Sequence, residues 1–273
     1  MTQRLSFAIS TQASAWQALD WWREAGRVAG ISALDLELSN VLRRYRLGID
    51  SWRDALLRPK VASVWIRAHQ IGARRNEKAE DAVDLSVICP PNRIVCVAHD
   101  AVANPAGSLD VAVASAARLR ATLNPSTRVA LAISPINPDG GREHLVRLQA
   151  LRHQAAEWDV DLALDLTGKL DETWEAEAAM LRIAKRLAII RLAYPPPTAP
   201  GSAQWKLVRR ILSAGFDVEF SGVVALSPSL RPWRLAGAGD VALQLRQSVA
   251  ELRSDFRAHS SSVYESTRRR GPG

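Results

Sequence analysis

Short apolar segments alternate with longer amphipathic segments along most of this chain. The apolar segments are rich in Val, Ile, Leu and Ala and are nearly continuous, which is typical of parallel strands buried on both faces. Eight strands are predicted: Leu5–Ser10, Ala33–Leu38, Val61–His69, Ile94–His99, Val129–Ser134, Leu162–Leu166, Ala188–Tyr194 and Val218–Val224.

The segments between the strands have helical periodicity and residues that favour helix ends. Ser108 and Asp240 are suited to N-caps, and Gly26 and Gly215 to helix stops. The predicted helices are Ser14–Ala25, Ser108–Leu123, Arg142–Trp158, Thr173–Arg186, Ser202–Ala214 and Asp240–Ala258. Strands that alternate with helices predict an α/β protein with a single (β/α)8 TIM barrel, since an open dinucleotide-binding sheet would favour a GxGxxG after its first strand and none is present.

The length of 273 residues fits one such barrel, which typically takes about 250 residues. We expect the barrel to cover residues 1–258, followed by a disordered, basic tail over 259–273. No apolar run is long enough to cross a membrane, and no signal peptide is evident, so a cytoplasmic protein is predicted. Cys89 and Cys96 lack CxxC spacing and are predicted to be reduced.

The formal net charge of +8 leaves two interpretations open. Most arginines fall on predicted helices, which favours a solvated outer surface and a GC-rich genome. The other interpretation is an anionic partner, either a phosphorylated ligand or nucleic acid. No aromatic residues are interleaved with basic ones in the manner of a single-strand binding surface, so nucleic acid is not favoured.

The ordered segments resemble the xylose-isomerase-like barrels, which include sugar isomerases, sugar epimerases and apurinic-site endonucleases. The resemblance covers residues 4–258. It lies in a second strand that ends in Glu37-Leu38, a fourth strand that ends in His99, a sixth strand with Asp165, and the stretch that joins the last two strands.

The resemblance implies a divalent-metal site at the strand ends, and this chain departs from it. The family's fifth-strand Glu corresponds to Ser134 of this chain, the family's seventh-strand His to Arg191 and its eighth-strand Glu to Val223. The family's sixth-strand Asp is kept as Asp165. A neutral side chain cannot supply the charge that a hard cation needs, and an arginine would repel it. We therefore expect no cofactor, although Zn or Mn remains an alternative.

That alternative would use His69, His99 and Asp165 as a set of two histidines and one carboxylate. His69 and His99 match histidines of the endonuclease branch, but hydrogen-bonded histidines at the barrel rim are the favoured interpretation. Arg191 is predicted to bind a negatively charged ligand group in place of a metal.

Candidates for proton transfer are Glu37, His99 and Asp165, each at a predicted strand end. A structural hydrogen bond for Glu37 and an ion pair for Asp165 are the competing interpretations. Candidate ligand contacts are Arg191, His69, Tyr194, Trp65 and Ser134, where Trp65 could instead be core.

These residues favour an isomerase- or epimerase-like barrel that binds a small polyhydroxylated or anionic ligand, such as a sugar. The first alternative is a non-catalytic relative that serves as a ligand-binding or protein-interaction module. A weaker one is a nucleic-acid binder related to the endonucleases. A membrane partner is not expected, and a homo-oligomer is compatible with the sequence.

Overall fold

The computed structural model describes residues 6–13, 19–40, 60–67, 93–98, 107–133, 141–167, 176–193, 203–217, 220–228 and 238–269. Eight parallel strands form a closed barrel in chain order, each paired with the next and β8 paired with β1. The strands are β1 (Ser6–Ser10), β2 (Ala33–Glu37), β3 (Lys60–Arg67), β4 (Ile94–Ala98), β5 (Arg128–Ile133), β6 (Asp161–Leu166), β7 (Leu187–Ala193) and β8 (Val223–Ser227). The predicted (β/α)8 fold is confirmed.

Helices follow the strands along the chain and cover the barrel. They are α1 (Leu19–Ala29), α2 (Gly107–Thr122), α3 (Gly141–Glu157), α4 (Ala176–Ile183), α5 (Ala203–Asp217) and α6 (Ala238–Arg269). A 3-10 turn, Thr11–Ala13, follows β1, and another, Ala184–Arg186, leads into β7. Neighbouring helices pack in sequence order, α3 on α4, α4 on α5 and α5 on α6, and α6 also packs on α1.

Alternate side chains of each strand point to opposite faces, so the barrel has two apolar layers. The outer layer joins strand residues such as Leu36, Val64 and Ile190 to the helices. The inner layer is built largely from alanines: Ala8, Ala33, Ala130, Ala163 and Ala225. Small inner side chains leave room in the barrel for a few large ones, and that room determines where the candidate site lies.

Two element boundaries differ from the sequence prediction. Helix α1 was expected to stop at Gly26, but it continues to Ala29, and Gly30 has the left-handed φ of +73° that ends it. Gly26 is a packing residue instead, because a Cβ there would lie 2.6 Å from the carbonyl oxygen of Ile31.

Strand β8 begins at Val223, whereas Val218–Val224 was predicted. Phe220 donates a 2.9 Å backbone hydrogen bond to Gly215 in α5, so its backbone amide belongs to the turn after that helix. The Phe220 side chain is buried, which gives this turn the apolar character of a strand. The predicted eighth strand was therefore displaced toward the N-terminus.

The last helix is longer than predicted, because α6 extends to Arg269. A disordered tail was expected from His259, and this expectation was wrong as far as Arg269. The segment 259–269 contains neither Gly nor Pro, so nothing in it breaks the helix, and the Gly271-Pro272 pair comes only afterwards. Residues 270–273 lie outside the described residues.

Among the described helices, none is both long enough and apolar enough to span a membrane.

Candidate functional site

The carboxyl ends of the eight strands meet at one end of the barrel, which we call the mouth. Parallel barrels place their ligand sites at this end, because the strand ends and the loops after them converge there. The described strands end here with Ser10, Glu37, Arg67, Ala98, Ile133, Leu166, Ala193 and Ser227.

Arg191 of β7 is the central polar residue of the barrel interior. It is 1% exposed, and its guanidinium binds two carboxylates of β2. Nε donates to Oδ2 of Asp35 at 2.7 Å, and Nη1 donates to Oε2 of Glu37 at 3.1 Å. Strands β2 and β7 are not neighbours in the barrel, so these bonds cross its interior.

Strand β3 fixes this arrangement from beside β2. The hydroxyl of Ser63 and the indole Nε1 of Trp65 both donate to Oδ1 of Asp35, the latter at 2.6 Å. The Trp65 ring also lies under the guanidinium, with Cζ of Arg191 3.7 Å from the ring centroid. A cation on an aromatic face is attracted by the ring quadrupole, and this attraction strengthens where water is excluded. Trp65 therefore holds both members of the Arg191–Asp35 pair.

Burial and the nearby carboxylates act in opposite directions on the Arg191 guanidinium. Burial by itself lowers its pKa, but the negative charges of Asp35, Glu37 and Asp165 outweigh it, so the pKa of Arg191 is raised above its ordinary value. Arg191 is thus permanently charged. Its Nη2 atom is buried and has no hydrogen-bond partner among the described residues, a state that costs free energy.

Glu37 and Asp165 have further contacts that complete the described part of the mouth. The backbone N–H of Glu37 donates to Oγ1 of Thr11 at 3.2 Å, which fixes the end of β2 against the turn after β1. Asp165 of β6 is directly beside Arg191 in the register of β6 and β7. Its Oδ1 accepts hydrogen bonds from the backbone N–H and hydroxyl of Thr167, at 3.0 and 2.7 Å.

The structure brings together four of the residues predicted for the site, namely Glu37, Trp65, Asp165 and Arg191. The competing interpretation of Asp165 is an ion pair with Arg191 or Arg67. Arg191 donates hydrogen bonds to Asp35 and Glu37, and the charge of Asp165 also acts on it. The other predicted residues, His69, His99, Ser134 and Tyr194, lie outside the described residues.

The eighth-strand position inferred from the resemblance is corrected by the structure. Val223 is the first residue of β8 and pairs with Ser6 and Ile189, so it lies far from the mouth. Ser227 is the residue of β8 at the mouth.

Sequence reasoning missed Asp35, the fully buried partner of Arg191. A signal was available, since Asp35 and Glu37 are two residues apart on a predicted strand and so point to the same face, as do Ser63 and Trp65 on the next strand. Polar residues with this spacing in otherwise apolar strands indicate a polar interior.

A separate cavity of about 700 Å³ lies at the opposite end of the barrel. It is lined by α1, by the turn Gly30-Ile31-Ser32 and by Lys60, the first residue of β3. The charged residues of α1 pair with each other there, Arg23 with Asp20 and Arg27 with Glu24. Ligand sites of such barrels do not usually lie at this end, so the mouth remains the candidate site.

Fold and site together define a parallel β/α barrel with an ion-paired, polar mouth. No family model matches the sequence, and no curated protein matches it. Among solved structures, the fold is similar to that of xylose-isomerase-like TIM barrel proteins, and the predicted barrel fold is confirmed.

Three solved structures illustrate the similarity. A xylose isomerase domain containing protein from Salmonella typhimurium LT2 is 11% identical, with a TM-score of 0.55 over 92% of this chain and 99% of that one. D-psicose 3-epimerase from Clostridium cellulolyticum H10 is 14% identical, with a TM-score of 0.62 over 92% and 99%. An L-ribulose 3-epimerase is 13% identical, with a TM-score of 0.59 over 95% and 98%. These similarities show that the chain has the (β/α)8 barrel fold.

Proposed function

We propose that the barrel binds an uncharged polyhydroxylated compound of sugar size at its mouth, around Arg191, Glu37 and Asp165. The observation that carries this proposal is the meeting of two partly exposed carboxylates, Glu37 and Asp165, beside the guanidinium of Arg191. Hydroxyl groups of a ligand would donate hydrogen bonds to these carboxylates.

The charges of the mouth favour an uncharged ligand over an anion. Among the described side chains around Arg191, three carboxylates face one guanidinium. These are Asp35, Glu37 and Asp165, so carboxylates outnumber the guanidinium among these described side chains. A phosphate or carboxylate would be repelled by this surplus, whereas sugar hydroxyls donate to carboxylates and accept from a guanidinium.

The size of the described side chains supports a ligand at this position. Small residues lie at the ends of strands on several sides of the barrel: Ser10, Ala98, Ala193 and Ser227. The structural neighbours support the same ligand class, since several of them are named as epimerases of psicose, ribulose or a 3-keto-glucoside.

A second candidate function is proton transfer on the bound sugar. Glu37 on β2 and Asp165 on β6 lie on opposite walls of the barrel, because three strands lie between β2 and β6 in either direction. Epimerisation removes a proton from one face of a carbon and returns a proton to the other face, which two opposed carboxylates could do. The positive charge of Arg191 could stabilise negative charge that develops on the neighbouring carbonyl oxygen.

One NMR experiment tests both candidates. The EDTA-treated protein is mixed with neutral ketohexoses in D₂O, where saturation transfer reports binding and loss of the ¹H signal beside the carbonyl reports proton exchange. We expect saturation transfer for the wild-type protein and its loss in Glu37→Gln and Asp165→Asn.

Asp161→Asn is the control, because Asp161 is on the same strand as Asp165 but at the other end, in an ion pair with Arg128. Binding without exchange would assign the barrel to ligand binding alone. Absence of saturation transfer from every neutral sugar would contradict the proposal.

A further inference from the structure

A bound cation in the mouth would be expected to lie among the carboxylates, and the guanidinium of Arg191 lies there. We propose that Arg191 is the built-in cation of this barrel and replaces a divalent metal ion at the mouth. The inference goes beyond sugar binding and does not depend on it, since it rests on the ion pairs alone.

The first argument is that the oxygens of Asp35 are already used. Oδ2 accepts from Arg191, and Oδ1 accepts from Ser63 and Trp65. A metal ion would have to displace these donors in a site that is 0% exposed, where the loss of each charge-assisted hydrogen bond is costly. Asp35 is therefore a ligand of the guanidinium and not of an ion.

The second argument is repulsion. Glu37 and Asp165 both lie close enough to Arg191 to raise its pKa, so a metal ion on either carboxylate would also lie close to the guanidinium. Like charges repel strongly where water is excluded. In the segments that the structure describes, no three His, Cys, Asp or Glu residues are arranged to hold a metal.

The third argument is permanence. The guanidinium is stacked on Trp65, bonded to two carboxylates and carried by the interior of a strand that is paired on both sides. Such a side chain is held in one geometry without a cofactor, in the way that a metal ion holds its ligands. Ligand binding at the mouth should accordingly be independent of divalent ions.

Equilibrium dialysis of the wild-type protein against Mn²⁺ and Zn²⁺ gives the first test. We expect less than 0.1 equivalent of metal to be retained after dialysis against metal-free buffer. One equivalent of either ion, retained by the wild-type protein and lost in Asp165→Asn, would overturn the inference.

Chemical rescue gives the second test. Arg191→Ala removes the atoms of ethylguanidinium from beside three carboxylates, so its Tm should fall by about 10 °C. We expect about 10 mM ethylguanidinium chloride to raise the Tm of this variant by several degrees, and to leave the wild-type protein and Arg128→Ala unchanged. The Arg128–Asp161 pair is exposed, so the loss of Arg128 leaves no buried cation position.

Arg191→Ala protein that does not fold on expression is refolded from urea with ethylguanidinium or with ethylurea, its neutral counterpart. A higher refolding yield with ethylguanidinium alone supports the inference. Equal yields, or an Arg191→Ala protein as stable as the wild type and indifferent to ethylguanidinium, would show that these carboxylates need no cation.

Discussion

The guanidinium Nε of Arg191 donates a 2.7 Å hydrogen bond to the carboxylate of Asp35, a residue 156 positions earlier in the chain. Arg191 is on β7 and Asp35 is on β2, and the two strands are not neighbours in the barrel. The pair can form only when the barrel closes, so it links barrel closure to the construction of the mouth. A buried charge pair of this kind is tolerable because each member satisfies the other.

Asp35→Asn should be strongly destabilising, because it leaves the buried guanidinium of Arg191 without its closest negative charge. We expect the free energy of unfolding to fall by about 3–5 kcal/mol, measured by urea denaturation. Asp161→Asn breaks the exposed pair with Arg128 and should cost less than about 1 kcal/mol. Equal losses in the two variants would show that the interior pair contributes no more than a surface pair.

Trp65→Phe separates the two roles of Trp65. The ring remains available under Arg191, but the Nε1–H that donates to Asp35 at 2.6 Å is lost. We expect a loss of about 1–3 kcal/mol in the free energy of unfolding, since Oδ1 of the buried Asp35 carboxylate loses one of its two donors and keeps Ser63. Trp65→Leu also removes the aromatic face and should be less stable than Trp65→Phe in the same urea titration.

Cys96 should be chemically inert in the folded protein. Burial raises the pKa of its thiol well above the ordinary value, and the charge of Asp35 adds to this effect. In a Cys89→Ser background, which leaves Cys96 as the one thiol of the chain, a thiol reagent at pH 8 should react only after unfolding in urea. Rapid reaction of the native protein would contradict the burial of Cys96.

The same thiol should make stability depend on pH in a defined direction. The folded state holds the Cys96 proton more tightly than the unfolded state does, so its contribution is complete below the usual thiol pKa of about 8.5 and is lost as the pH rises above it. Cys96→Ala should remove this alkaline component from the urea denaturation profile. An unchanged alkaline slope would assign the component to other groups.

Two glycines offer a matched test of the packing around β8. A Cβ at Gly222 would overlap the carbonyl oxygen of Ala188 and lie 2.5 Å from Cε2 of Phe220, whereas nothing lies within 4 Å of a Cβ at Gly239. Gly222→Ala should lower the free energy of unfolding by about 1–3 kcal/mol through overpacking. Gly239→Ala, in the first turn of α6, should be neutral or stabilising by up to about 1 kcal/mol.

Much of the barrel could be predicted because its strands are buried on both faces and read as apolar runs. The prediction failed where a turn has the apolar residues of a strand, or where a packing glycine has the position of a helix stop. Phe220 is as buried as a strand residue, yet its amide bonds back to Gly215 in a turn. Gly26 resembles a helix stop, but it is required for the close approach of Ile31, and Gly30 ends the helix.

The candidate site was predictable only in part. Glu37, Asp165 and Arg191 could be found because strand ends converge in a parallel barrel. The pairing of Arg191 with Asp35 could not be predicted, because the sequence does not show which inward-facing residues of non-adjacent strands meet after closure. Arg191 and Asp165 are direct register partners, yet the hydrogen bonds from Arg191 reach Asp35 and Glu37 on the far side of β8 and β1.

The measurement that tests the central claim most directly is a calorimetric titration of the metal-free protein with a neutral ketohexose and with its phosphorylated form. The surplus negative charge around Arg191 predicts that the neutral sugar binds and that the phosphorylated sugar binds at least about tenfold more weakly. Tighter binding of the phosphorylated sugar, or a requirement for added divalent metal before either sugar binds, would contradict the account.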